Sequence, residues 1–114
     1  MRQTIFVLRP AFPYGETFRL LCEALERTGT VKESNFAHGF LSGRLITAKN
    51  GRARVDFYLE RGALGPTNVR AAVHRADVYV DSHLLQAEHL RIDDLWDEFL
   101  LCLFRLRRGA SFGV

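Results

Sequence analysis

Cysteine is nearly absent from this chain: Cys22 and Cys102 are the whole thiol inventory of 114 residues. No C-x-x-C pair and no Cys/His spacing of a zinc module occurs, so neither a disulfide framework nor a structural metal is indicated. Neither is needed, because a chain this long buries about two thirds of its unfolded surface. Long apolar runs are missing as well. Nothing approaches the roughly 20 residues of a membrane-spanning helix. Met1 to Pro10 holds a short apolar run, Ile5 to Leu8, with no small-residue cleavage site, which speaks against a signal peptide. These absences predict a soluble, cytoplasmic protein with no membrane partner. Lysine is scarce too, with only Lys32 and Lys49 against an arginine for every other basic position. A surplus of arginine suits bidentate recognition of phosphate or carboxylate. Here, however, the basic residues are scattered among 13 acids and the net charge is only +3. Arginine-rich codon usage is the simpler account, and steering of polyanions would be weak.

Catalytic signatures are also missing. The four histidines are His38, His74, His83 and His89, and the nearest approach to a metal set, His83 with Asp81 and His89, fits no zinc spacing. Ser34, Ser42 and Ser82 lack the setting of a nucleophile elbow. Asp93, Asp94 and Asp97 read as capping and dipole-complementing residues of a helix rather than as a metal cluster. Gly62-Ala63-Leu64-Gly65 has turn glycines but no strand-to-helix phosphate loop. No acid, base or nucleophile stands out, so the reading leans away from an enzyme, and no cofactor is expected.

What is present is patterning. Thr4 to Leu8 is β-branched or apolar on both faces, as in a covered strand, and Pro10 and Pro13 close it. Phe18, Leu21, Cys22 and Leu25 recur at i, i+3, i+4 and i+7, the mark of a one-sided helix. Gly15, Glu16 and Thr17 supply its cap and first turn, and Gly29 is expected at its C′ position. Val31 to Thr47 reads as two strands turning near Ala37-His38-Gly39, and Asn50-Gly51 predicts a two-residue hairpin turn. Ala53 to Glu60 alternates with Val55, Phe57 and Leu59 inward; Val69, Ala71 and Val73 repeat the pattern after a turn at Gly62 to Thr67. Val78 to Val80 reads as a short extra strand or the end of the sheet, and Ser82 to Leu90 as loop or short helix. From Asp93 the period returns to 3.6, with Leu95, Trp96, Phe99, Cys102, Leu103 and Leu106 in one stripe and Gly109 as the stop. The two cysteines fall on these apolar stripes and are expected to be inert.

The order is thus β-α-β-β-β-β-(β)-α in one domain spanning residues 1–114. It predicts an α+β fold: a mainly antiparallel sheet of about 5–6 strands with both helices on one face. The segment Ala24 to Ser34, followed by Gly39-Phe40-Leu41-Ser42-Gly43-Arg44-Leu45, resembles the helix–glycine–strand–turn–strand segment of small TBP-like or helix-grip domains. Such domains include DNA binders, small-molecule or lipid binders and assembly modules, so the resemblance implies a shape and carries over no functional residue.

Three surfaces emerge as candidates. On the last helix Leu100, Leu101 and Phe104 project roughly 60–160° away from the core stripe by the helical step, and Leu20 lies nearly opposite Phe18 on the first helix. An apolar group beside a core stripe suggests a second buried surface. The leading expectation is therefore a non-catalytic domain that self-associates as a homo-oligomer, a dimer, or docks a protein partner through Leu20, Leu100, Leu101 and Phe104. The alternative is a small hydrophobic ligand held between sheet and terminal helix by Phe57, Leu59, Trp96, Phe99 and Leu103, although a filled core is the simpler reading of the same residues, because aromatic stripes usually pack. The third is nucleic acid on the outer sheet face, where Phe40, Arg44, Arg54, Tyr58, Arg70, His74 and Tyr79 mix cations with aromatics. Asp56, Glu60 and the low net charge place nucleic-acid binding last.

Overall fold

A computed structural model describes residues 3–10, 12–47, 51–61, 67–74, 78–80, 83–85 and 92–111. Asn50, the turn from Gly62, most of the stretch from Ser82 to Leu90, His89 and the tail beyond Ser111 lie outside the described residues, as do the side chains of Tyr79 and His83. The elements are β1 (Gln3–Leu8), α1 (Tyr14–Thr28), β2 (Gly29–Asn35), β3 (Phe40–Thr47), β4 (Gly51–Glu60), β5 (Asn68–His74), β6 (Val78–Val80), β7 (His83–Leu85) and α2 (Ile92–Ser111). Strands one to five form an antiparallel sheet in the order β1-β5-β4-β3-β2, and β6 pairs with β7 in a separate ribbon. The order β-α-β-β-β-β-α and the single helical face agree with the pattern read from the sequence, an α+β arrangement. Nothing in it singles out the TBP-like alternative.

Alternation fixes which side of the sheet is covered, because successive side chains point to opposite faces. Leu41, Leu45, Val55, Phe57, Leu59, Val69, Ala71 and Val73 face the helices and are buried. From α1 come Phe18, Leu21, Ala24 and Leu25, and from α2 Ile92, Leu95, Trp96 and Phe99, all in the same cluster. Phe6 of β1 stacks on Trp96 with centroids 4.5 Å apart, Trp96 lies 5.2 Å from Phe99, and Phe99 lies 5.3 Å from Phe57. These contacts close the core toward the N-terminal half of α2.

Several local expectations change for physical reasons. Gly29 does not take a left-handed C′ conformation: its φ of 178° is extended, and it opens β2. Its missing side chain is required by proximity, since a Cβ there would lie 1.7 Å from the Arg44 carbonyl oxygen. Gly39 in the β2–β3 turn has φ of +65° and its carbonyl accepts from the Leu59 amide at 2.8 Å. Thr47 pairs with Gly51, so Gly51 belongs to the ladder rather than to a two-residue turn. Pro13 precedes α1 with no side-chain cap bond, and α2 starts at Ile92, which puts Asp93 and Asp94 in its first turn rather than at its cap. That position still favours them next to the helix dipole. Gly109 does not end α2, which runs to Ser111.

Candidate functional site

Both helices use two adjacent faces, and the second face of each is where the site lies. α2 packs against α1 as well as against the sheet. On α1, Thr17, Leu20 and Leu21 form the inter-helix face, and on α2 Leu100, Leu103, Phe104 and Arg107 recur at i, i+3, i+4 and i+7. Between these two faces is an open-ended slot of about 200 Å³. Leu8 and Val69, direct partners across the β1–β5 ladder, are its floor. Arg9, Pro10 and Phe12, from the connection between β1 and α1, complete the lining.

The connection is held by its own hydrogen bonds. The Phe12 carbonyl accepts from the Thr17 hydroxyl and from the Thr67 hydroxyl, each at 3.2 Å. One tie goes to the first turn of α1 and the other to the entrance of β5, so the Phe12 ring is fixed at the slot's rim. Over that ring is the Arg107 guanidinium, 5.2 Å from the centroid. Among the described residues no buried side-chain nitrogen or oxygen lacks a partner. The Thr17 hydroxyl is already committed, which leaves the interior of the slot apolar and the two guanidiniums of Arg9 and Arg107 as its charged groups.

The residues picked from the sequence are redistributed by this geometry. Leu20 is not a surface residue: it is 3% exposed, because α2 crosses over the face opposite Phe18. Leu100 is half-buried against the core and lines the slot, as does Phe104, which remains 51% exposed. Leu101, 56% exposed, is the member of the group that lies outside the slot. Phe57, Leu59, Trp96 and Phe99 are buried in the core cluster and are not part of the slot's lining, and of the five residues named for a ligand site only Leu103 borders the slot. The signal that could have located the slot is the second apolar spacing on each helix, 17-20-21 and 100-103-104-107, beside the stripe that faces the sheet.

The outer sheet face is arranged differently. Registers put Phe40, Tyr58 and Arg70 in one cross-strand row and Arg44, Arg54 and His74 in another. Asp56, on the same face, is only 3% exposed. Its carboxylate takes a two-point contact from Arg54, Nε to Oδ1 at 3.3 Å and Nη2 to Oδ2 at 3.2 Å, while His74 Nε2 lies 3.0 Å from Oδ2. Arg70 stands over the Tyr58 ring, 6.0 Å from its centroid. Thus two of the basic groups proposed for phosphate contact are already engaged by a carboxylate, and the aromatic ring is covered by a third. Around them Ile5, Val7 and Ile46 are exposed apolar side chains.

Burial, and then the charge of Glu26, push the Cys22 thiol above its ordinary pKa, the direction opposite to an activated nucleophile. No cluster of three or more His, Cys, Asp or Glu suited to a metal occurs among the described residues. Among the same residues no helix is long and apolar enough to cross a membrane.

No protein-family model and no curated protein sequence matches the chain. Among solved structures it is similar to the crystal structure of Ara h 8.0201, at 8% identity and a TM-score of 0.48, over 91% of this chain and 98% of that one.

Proposed function

We propose that the chain is a non-catalytic binding protein whose ligand is a small hydrophobic molecule seated between α1, α2 and the β1–β5 floor. The observation that supports this reading is the slot itself, an apolar space of about 200 Å³ lined by Leu8, Leu20, Leu21, Val69, Leu100, Leu103 and Phe104. Close-packed protein interiors leave few voids larger than a water molecule, whereas this slot opens between two helices. An apolar cavity of roughly 150 Å³ holds one benzene ring, and full ligand pockets begin at about 300 Å³. The slot therefore suits a single ring or a short chain. Self-association through the last helix takes second place, since three of its four residues border the slot and Leu101 alone lies outside it.

The experiment is titration with 1-octanol, followed by calorimetry and by thermal unfolding. A saturable heat and a rising Tm are expected, the latter following ligand linkage. Leu103→Trp, which places an indole in the slot, is expected to abolish both while preserving the far-UV circular dichroism spectrum; Leu100→Phe serves as a milder filling. Absence of saturable binding, or equal binding by both filled variants, would overturn the reading.

A further inference from the structure

We propose, resting on the ligand-binding reading above, that the molecule bound in the slot is a small amphipathic carboxylate, its apolar part between the helices and its carboxylate on Arg107 and Arg9. Both charged side chains in the lining are guanidiniums, and no acid is part of it. Glu16, one helical turn before Leu20 on α1, is not among the lining residues. The two arginines come from different elements, Arg9 just after β1 and Arg107 in the last turns of α2, and converge on one slot.

Arg107 is presented in a way that suits a planar anion. Its guanidinium carbon lies over the Phe12 ring, a cation–π contact at 5.2 Å. A cation–π contact commits none of the guanidinium's N–H donors to a hydrogen bond, and those donors match the two oxygens of a carboxylate. Phe12 is itself anchored through the double hydrogen bond on its carbonyl, which limits the freedom that the guanidinium must lose on binding. Among the described residues neither Arg107 nor Arg9 is in an ion pair, in contrast to Arg54 and Arg19, which pair with Asp56 and Glu23. The rest of the slot excludes a polar head group from its interior, because its walls are leucine, valine and phenylalanine. A ligand with one apolar part and one anionic end satisfies both halves of this lining; a neutral hydrocarbon satisfies one.

Octanoate and 1-octanol share a chain and differ at the head, so their comparison isolates the charge. In low salt, octanoate is expected to bind about tenfold or more tightly than 1-octanol, the scale of a charge-assisted hydrogen bond. The preference should shrink as sodium chloride is raised, because both arginines are solvent-exposed. Arg107→Gln should reduce it several-fold, and the Arg9→Gln/Arg107→Gln pair should erase it, the two probes then binding with equal affinity. Equal affinities in the unaltered protein, or a preference that survives in the double variant, would overturn the carboxylate assignment and leave the slot as a neutral hydrophobic site. Failure of both probes to bind would overturn the assignment together with the ligand-binding reading.

Discussion

Thr67 donates its hydroxyl to the main-chain carbonyl of Phe12 at 3.2 Å, joining two segments 55 residues apart in the chain. Thr67 is fully buried, at the start of β5, and the same carbonyl also takes the hydroxyl of Thr17. The bond closes the connection over the end of the sheet and so sets the position of the slot's rim. Thr67→Val keeps the volume and removes the donor. Because Thr17 still serves the carbonyl, the expected loss is that of one ordinary hydrogen bond, about 1 kcal/mol, read as a Tm lower by roughly 4 °C in differential scanning calorimetry.

Gly29 and Arg44 define a second constraint. The α1–β2 junction admits no side chain at position 29, where a Cβ would meet the Arg44 carbonyl carbon at 2.8 Å in addition to its oxygen. These are backbone atoms in a ladder, and they cannot swing aside as a flexible side chain would. Gly29→Ala is therefore expected to push β2 away from β3 and to cost about 1–3 kcal/mol or more, the range of forced overpacking. Urea unfolding measures it; an unchanged midpoint would show that the junction has slack.

The two-fold period of β4 and β5 was legible in the sequence because one side of the sheet faces the helices and the other faces water. Val55, Phe57, Leu59, Val69, Ala71 and Val73 are all buried as the alternation requires. The N-terminal half of α2 was legible for the same reason, through Leu95, Trp96 and Phe99. Leu20, Leu100 and Phe104 were not, because a helix that packs on both a sheet and another helix carries two apolar faces. A single-stripe reading assigns the second face to the outside. Gly29 was misplaced because a glycine that follows a helix has the same letter whether it supplies a left-handed turn or a close approach between strands. The slot could not be read at all from composition: it depends on where α2 crosses α1.

Cys22 offers a test of the core's edge by chemistry. Burial first, and the charge of Glu26 second, hold its thiol above the ordinary pKa, so the folded chain disfavours the thiolate. Alkylation by iodoacetamide at pH 8 is expected to be several-fold slower at Cys22 in the folded protein than in denaturant, as followed by peptide mass spectrometry. The linkage sign follows from the same shift. Below the unfolded thiol pKa both states are protonated and stability is unaffected. Above about pH 8.5 the unfolded state ionises first, and the protein loses stability as pH rises.

Leu101 and Phe104, three residues apart on α2, separate the binding reading from the association reading. Leu101 lies outside the slot and is the more exposed of the two, whereas Phe104 is part of the lining. Glutamate at an exposed helical site away from packed neighbours changes stability by about 0.5 kcal/mol or less. Leu101→Glu is accordingly expected to leave the oligomeric state seen in native mass spectrometry, the Tm and 1-octanol affinity where they were. Phe104→Glu replaces an apolar wall of the slot by a carboxylate and should weaken 1-octanol binding by about tenfold, since a ligand's chain would have to displace water from a charged group. It should weaken octanoate further by like-charge repulsion. If Leu101→Glu instead converted a dimer to a folded monomer, the exposed flank of α2 would be an interface. The apolar excess on this helix would then serve a partner as well as a ligand.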